Sequence, residues 1–411
     1  MIPRVPALDC DVVVIGGGIA GFSTALALVR SAGVSVHVLE RAPAPPPAPD
    51  PDPDPKALAI TVASRNVLAA IGAWPRLPAD RIGRIGAMQI WEPGAAGRIG
   101  FDAADIGAES LGWIVESRLL VNALEAAAGA ERGLVLRRGA QVSALAADGE
   151  VQRIELADGT RLRARMVVGA DGAGSHTRTL AGIGWDRQPY DQEAVVCAVR
   201  TASPHADIAR QAFLPHGPLA FLPLAGPDLS AIVWSTEPLH AAHLCAIEPA
   251  RFRAELEVAF DSTLGEVTWS GMPERWPLGL GRAERYVEGR LALVGDAAHV
   301  VHPLAGQGAN LGLMDAAALA ECVAAGIQAG RAAGAPRDLC RYERWRRGEN
   351  ALMQTACDWI GRLYRAESAP LRTLRDAGLR LVDAADPIKA LIMRRASGFA
   401  GDLPALARAD H

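Results

Sequence analysis

A chain of 411 residues can bury more than one hydrophobic core, so two interleaved or consecutive domains are expected. Half of its residues are hydrophobic and 21% are charged, the composition of an ordinary folded protein and not of a disordered one. A formal net charge of -4, with no basic stripe interleaved with aromatics, excludes nucleic acid as a general partner.

Between Asp11 and Arg30 lie 18 consecutive uncharged residues, VVVIGGGIAGFSTALALV, which match a membrane span by length alone. Gly16, Gly17, Gly18 and Gly21 would weaken a continuous helix, so the segment reads as strand, glycine turn and helix, and no other segment approaches spanning length. Gly33 stops that helix and VSVHVLE supplies a second strand, giving a βαβ unit that opens an α/β fold. The run RAPAPPPAPDPDPDP then forbids helix and sheet ladders and reads as an extended surface loop.

From Ala57 to Trp74, ALAITVASRNVLAAIGAW predicts a helix, and LLVNALEAAAG predicts another that Gly129 closes. RMVVGADG and LALVGDAAH share one design, a hydrophobic run ending in Gly and Asp, as buried parallel strands do where they meet a ligand. Between them, from Trp185 to Gly281, runs such as EAVVCAVR, GPLAFLPLAG and LSAIVWS predict a mostly antiparallel sheet, the candidate substrate domain. Trp185, Phe213, Phe221 and Trp234 are expected mainly to pack that sheet. From about Arg341 the pattern is helical, with Arg372, Arg375, Arg380, Arg394 and Arg395 among leucines and alanines. The six cysteines (Cys10, Cys197, Cys245, Cys322, Cys340, Cys357) show no metal spacing and read as reduced core thiols of a cytoplasmic protein, with no metal site.

The first chemical signal is Gly16-x-Gly18-x-x-Gly21 after a strand, where backbone amides at a helix start can meet a pyrophosphate. Glu40 ends the next strand 19 residues after Gly21, placed to accept hydrogen bonds from a ribose diol. This pairing suits NAD and FAD alike. His299 and His302 are read as fixing their loop by hydrogen bonding, not as a base or metal pair.

Gly169-Ala170-Asp171-Gly172-Ala173-Gly174-Ser175-His176-Thr177-Arg178 resembles the DG motif of the single-component flavin-dependent aromatic hydroxylases. Gly295-Asp296-Ala297-Ala298-His299, running on through His302 to Asn310, resembles their GD motif and flavin-ring loop. KALAITVASRNVLAAIGAW, LGWIVESRLL and GPLAFLPLAGPDLSAIVW follow the order of the ubiquinone-biosynthesis hydroxylases, so the resemblance covers nearly the whole chain. It implies an FAD-binding Rossmann-like domain built from 1-77, 111-185 and 282-350, a mostly antiparallel substrate-binding sheet domain from 78-110 and 186-281, and a C-terminal helical region over 351-411.

The implied cofactor-binding residues are Gly16, Gly18, Ile19, Ala20 and Gly21 in the first turn, Glu40 and Arg41 after it, and Lys56. Asp171 and Gly172 would lie near pyrophosphate and pyridine nucleotide, Gly295 and Asp296 at the ribityl chain, and Pro303, Gly306, Gly308, Ala309 and Asn310 at the flavin ring. Gly306 and Gly308 leave room for the ring, and amides at the start of the following helix would favour negative charge on its pyrimidine edge. No catalytic side chain is assigned.

Three positions depart from the family pattern: Lys56 and Met314 stand where arginines are usual, and Ala309 replaces a leucine. Lys56 keeps the charge but loses the bidentate fork. The implied activity uses NADH or NADPH as a transient co-substrate and O2 to hydroxylate an aromatic ring, with a polyprenylated phenol of ubiquinone biosynthesis as substrate. Peripheral contact with the inner membrane, or with other quinone-pathway enzymes, belongs to the same reading. A hydroxylase of a soluble aromatic metabolite and a non-catalytic protein that has lost its flavin are the alternatives.

Overall fold

In the computed structural model, residues 8–43, 53–94, 98–301, 307–365, 389–391, 393–394, 397–398 and 401–408 are described. Two large sheets organise them. The first has eight strands, six of them in the order Val287–Glu288, Leu291–Leu293, Arg161–Gly169, Cys10–Ile15, Val36–Glu40 and Leu134–Arg138. Cys10–Ile15 lies parallel to both central neighbours, and the register sets Ile15 beside Leu39 on one side and Gly169 on the other. Gly169 in turn pairs with Leu293. Consecutive strand ends therefore bring the glycine turn, Glu40 and both Gly-Asp sequences to one edge, the crevice where open α/β sheets bind ligands.

Val12, Val13, Val14, Val36, Val38, Val167 and Val168 have no exposed surface, as expected of parallel strands covered on both faces. The helix Ile19–Ala32 ends at Gly33, whose φ of 64° is the left-handed conformation that lets a helix stop. It packs on the helix Gln307–Gln328, which is long and apolar enough to span a membrane, contrary to the sequence expectation, but lies mostly buried in the protein. Its small residues admit close packing against Ile19–Ala32.

The second sheet has nine strands, ordered from His299–Val300 through Glu274–Ala283, Trp185–Thr201, Leu229–Thr236, Gly217–Pro223, Ile208–Leu214 and Ala87–Trp91 to Arg98–Asp102. Only the Ile208–Leu214 and Ala87–Trp91 pair runs parallel among its described ladders. Phe213, Phe221 and Trp234 are buried in it, and Phe221 stacks on Phe260 at 4.0 Å between ring centroids.

Three expectations need correction. Ala57–Ile60 is a strand, antiparallel to Gly112–Glu116, and the helix covers only Val62–Ala70 after the Thr61 cap. The apolar run ALAI serves a buried strand as readily as a helix turn, and the cross-strand partner decides. The helix Pro336–Arg365 runs unbroken through the boundary expected at 350/351, because no proline interrupts it after Pro336. Cys340 is exposed, whereas Cys10, Cys197 and Cys322 are buried thiols. Arg372, Arg375, Arg380 and Arg395 lie outside the described residues.

Candidate functional site

The glycine turn is shaped by close backbone approaches. Gly16 has φ 109°, and a Cβ there would sit 2.4 Å from the Ala170 carbonyl oxygen. A Cβ on Gly21 would come within 1.9 Å of the Gly16 oxygen. Gly18 differs: a Cβ on it would meet no atom of the described residues within 4 Å, which leaves room there for backbone to approach a ligand. It is the N-cap of Ile19–Ala32 with no side-chain cap, leaving the first-turn amides of Ile19, Ala20 and Gly21 free of intrahelical acceptors. Uncapped amides at a positive helix end suit a pyrophosphate.

Glu40 braces this turn directly. Its Oε2 accepts from the Gly17 amide at 2.6 Å and its Oε1 from the Ala42 amide at 2.7 Å. A carboxylate has about four lone-pair sites, so acceptor capacity remains for a ribose. Arg41 is exposed beside it.

At the first Gly-Asp sequence, Asp171 spends its carboxylate on its own turn. Ser175 Oγ donates to Oδ1, while the Thr177 amide and hydroxyl both donate to Oδ2 at 2.9 Å. Ser175 also caps His176–Leu180 by accepting from the Arg178 amide. Gly172 has φ 80°, the left-handed region this turn requires. Arg178 is buried against the Trp185 ring, 3.8 Å from its centroid, and donates to the Ala173 and Ala297 carbonyls at 2.9 Å. It thus ties the first Gly-Asp turn to the second.

The second Gly-Asp sequence sits at the covalent junction of the two sheets, between Leu291–Leu293 of one and His299–Val300 of the other. Asp296 accepts no hydrogen bond from any described residue. It is exposed to solvent, yet enclosing protein desolvates it enough to push its carboxyl above the usual range, partly offset by His299 and Lys56. Such an acceptor is matched by hydroxyl donors of a bound polyol.

Beneath that turn lies a polar cluster that sequence reasoning missed. Asp315, fully buried in the helix Gln307–Gln328, accepts from the Gly295 amide at 3.0 Å, His299 Nε2 at 2.5 Å, Arg346 Nε at 2.8 Å and Asn350 Nδ2 at 3.1 Å. Burial alone would raise its carboxyl, but His299 and Arg346 hold it down at about 2. His299 is therefore a structural partner of Asp315. The available signal was a lone acid inside the apolar run LGLMDAAALA, since a buried charge needs partners.

Lys56 is exposed, with Nζ 5.3 Å from the Trp276 ring centroid, and its charge is felt at Asp296. It stands between the second sheet, which carries the half-exposed Trp276, and the Gly-Asp turn. Asp54 and Glu116 anchor its strand: the Lys56 amide donates to Asp54 Oδ1, the Asp54 amide to Glu116 Oε2, and Arg81 pairs with both Glu116 oxygens at 2.8 Å. Asn310 staples its helix to the same strand, donating to the Ala59 carbonyl and accepting from the Thr61 amide. Gly308 and Ala309 are half-buried beside it. Among the described residues, a Cβ on Gly308 would find Val301 nearest, at 3.9 Å. Met314 packs in the core. His302, Pro303 and Gly306 lie outside the described residues.

A family model described as an FAD binding domain matches residues 9–355. The chain belongs to that family. Its cofactor is FAD, and the cradle fits it: uncapped amides at Gly18, a strand-end glutamate and an exposed aspartate with no hydrogen-bond partner among the described residues. The chain is 38% identical to the ubiquinone hydroxylase UbiL of Rhodospirillum rubrum, over 94% of this chain and 89% of that protein. It is 35% identical to the 3-demethoxyubiquinol 3-hydroxylase of Escherichia coli K12, over 95% and 98% of the two. Among solved structures, p-nitrophenol 4-monooxygenase PnpA from Pseudomonas putida shares the fold of this flavoprotein with a TM-score of 0.78 at 22% identity, covering 95% of this chain and 98% of PnpA.

Proposed function

We propose that this flavoprotein is a monooxygenase that uses NAD(P)H and O2 to hydroxylate the ring of a lipophilic phenol in ubiquinone biosynthesis. The observation that carries the reading is the exposed Asp296, with no hydrogen-bond partner among the described residues, in a chain matching ubiquinone-pathway hydroxylases over 94–95% of its length. Bound FAD supplies hydride acceptance from the nicotinamide and activation of oxygen.

The protein's own residues bind, orient and shield. Amides of Ile19 to Gly21 meet the pyrophosphate, and Glu40 accepts from the ribose. Asp296 accepts from the ribityl hydroxyls, while Gly308 and Ala309, at the start of Gln307–Gln328, offer amides to the flavin ring. The sheet bearing Trp276 would wall the aromatic substrate's side of the bound cofactor and exclude water there. The division expected from the sequence serves this arrangement, and Gln354 bonds the Gly281 and Val300 carbonyls, tying the helix Pro336–Arg365 to the second sheet.

A cytoplasmic enzyme acting on a polyprenylated phenol meets its substrate at the inner-membrane surface, and a peripheral seat there follows from the substrate's chemistry. Co-sedimentation with anionic vesicles tests that seat. The activity is tested by NAD(P)H consumption of the FAD-loaded protein across a panel of phenols. Stimulation by prenylated phenols is expected; stimulation by small polar phenols alone would move the substrate to a soluble aromatic metabolite, and a protein that takes up no FAD would end the reading.

A further inference from the structure

The turn that presents Asp296 is held from three sides. Arg178 bonds the Ala297 carbonyl at 2.9 Å. Ala20 presses on Gly295, where a Cβ would come within 2.8 Å of the Ala20 methyl and φ is 58°. The third support is Asp315, through the Gly295 amide on one side of Asp296 and His299 on the other.

Every group facing Asp315 within hydrogen-bond reach is a donor: a backbone N–H, an imidazole N–H, a guanidinium and a carboxamide NH2. An ionised carboxylate accepts on both oxygens and satisfies all four, whereas an asparagine would turn its own NH2 against two of them. The bond to His299 places the proton on Nε2, and Nδ1 of the same ring is buried with no partner among the described residues. Arg346 and Asn350 also bond each other at 2.7 Å, so the cluster fastens the helix Pro336–Arg365 to the back of the cofactor turn.

We propose that Asp315 is a positioning residue for FAD, acting through the backbone on either side of Asp296 to aim that carboxylate into the crevice, with Arg346 and Asn350 holding Asp315 in place. The proposal rests on the reading of Asp296 as a cofactor ligand. A structural role alone would make Asp315 important for folding but indifferent to whether Asp296 is present. A positioning role makes its effect on FAD affinity vanish once Asp296 is gone.

The test is a double-mutant cycle on apoprotein, with FAD dissociation constants read from flavin fluorescence quenching. Asp315→Asn is expected to weaken FAD at least tenfold in the wild-type background and less than about twofold in an Asp296→Ala background. If Asp315→Asn does not fold, Asn350→Ala, which removes one donor to the same carboxylate, takes its place in the cycle. Leu313→Ala, a fully buried neighbour on the same helix, is the control and should destabilise the protein while leaving FAD affinity within about twofold. Effects that multiply in the double variant, or an equal affinity loss in Leu313→Ala, would overturn the positioning role. An Asp296→Ala protein that binds FAD as tightly as wild type would instead overturn the parent reading.

Discussion

Two strands of one sheet end in a glycine and an aspartate, and the structure uses the two acids differently. Asp171 accepts three hydrogen bonds from Ser175 and Thr177, four and six residues further along the chain. Asp296 has Val300 and His302 at those offsets, neither of them a hydroxyl, and its carboxylate is exposed. On the proposed reading the first acid builds a turn and the second offers a binding group. A Gly-Asp strand end is therefore ambiguous until the next six residues are read: hydroxyls at those offsets favour a self-contained turn, and their absence leaves the acceptor for a ligand.

Several substitutions sharpen that contrast. The largest effect is expected for Arg178→Met, which removes the one side chain bonded to both turns and its stacking on Trp185. Loss of two charge-assisted bonds in a buried setting should cost about 3 kcal/mol of stability in denaturant titration and also weaken FAD. Asp171→Ala should cost about 1–2 kcal/mol by the same measurement, as a lost cap and turn, with FAD affinity changed less than about threefold. An affinity loss as large as that of an Asp296 variant would return Asp171 to the cofactor.

The pH dependence separates the acids further. Asp296 has a carboxyl raised by enclosure, so its ionisation opposes folding: the apoprotein should lose stability as pH rises through the raised value. FAD hydroxyls donate to the ionised form, so affinity should change the other way, falling as pH drops through that value. Asp296→Asn should flatten both trends in melting and titration series. Asp315 is depressed to about 2, so its stabilising contribution is complete above the ordinary carboxylate value and is lost only as pH falls toward 2. The smallest effect is expected at Lys56→Arg, where the guanidinium fork should tighten FAD by about two- to fivefold in a binding titration.

Much of this site was legible because strand ends in a parallel sheet carry local signatures. The glycine spacing, Glu40 and both Gly-Asp sequences fell on one sheet edge, as buried valine runs ending in glycine suggest. What stayed hidden depended on distant partners. ALAI at Ala57–Ile60 looked helical because its pairing with Gly112–Glu116 is invisible in a local pattern. Asp315 looked like one charge in an apolar helix, and its meaning appears only when Arg346 and Asn350, 31 and 35 residues away, fold back on it. Asn310 was placed at the flavin ring, and the bonds of its carboxamide to two backbone groups of the strand and its edge were not foreseen.

The division of labour between the two aspartates is tested most directly by titrating FAD into apoprotein carrying Asp296→Ala or Asp171→Ala beside the wild type. The account predicts that Asp296→Ala weakens FAD by roughly 10- to 100-fold while its fold stays intact, and that Asp171→Ala binds nearly as wild type does. Equal losses at both sites, or a loss at Asp171 alone, would contradict it.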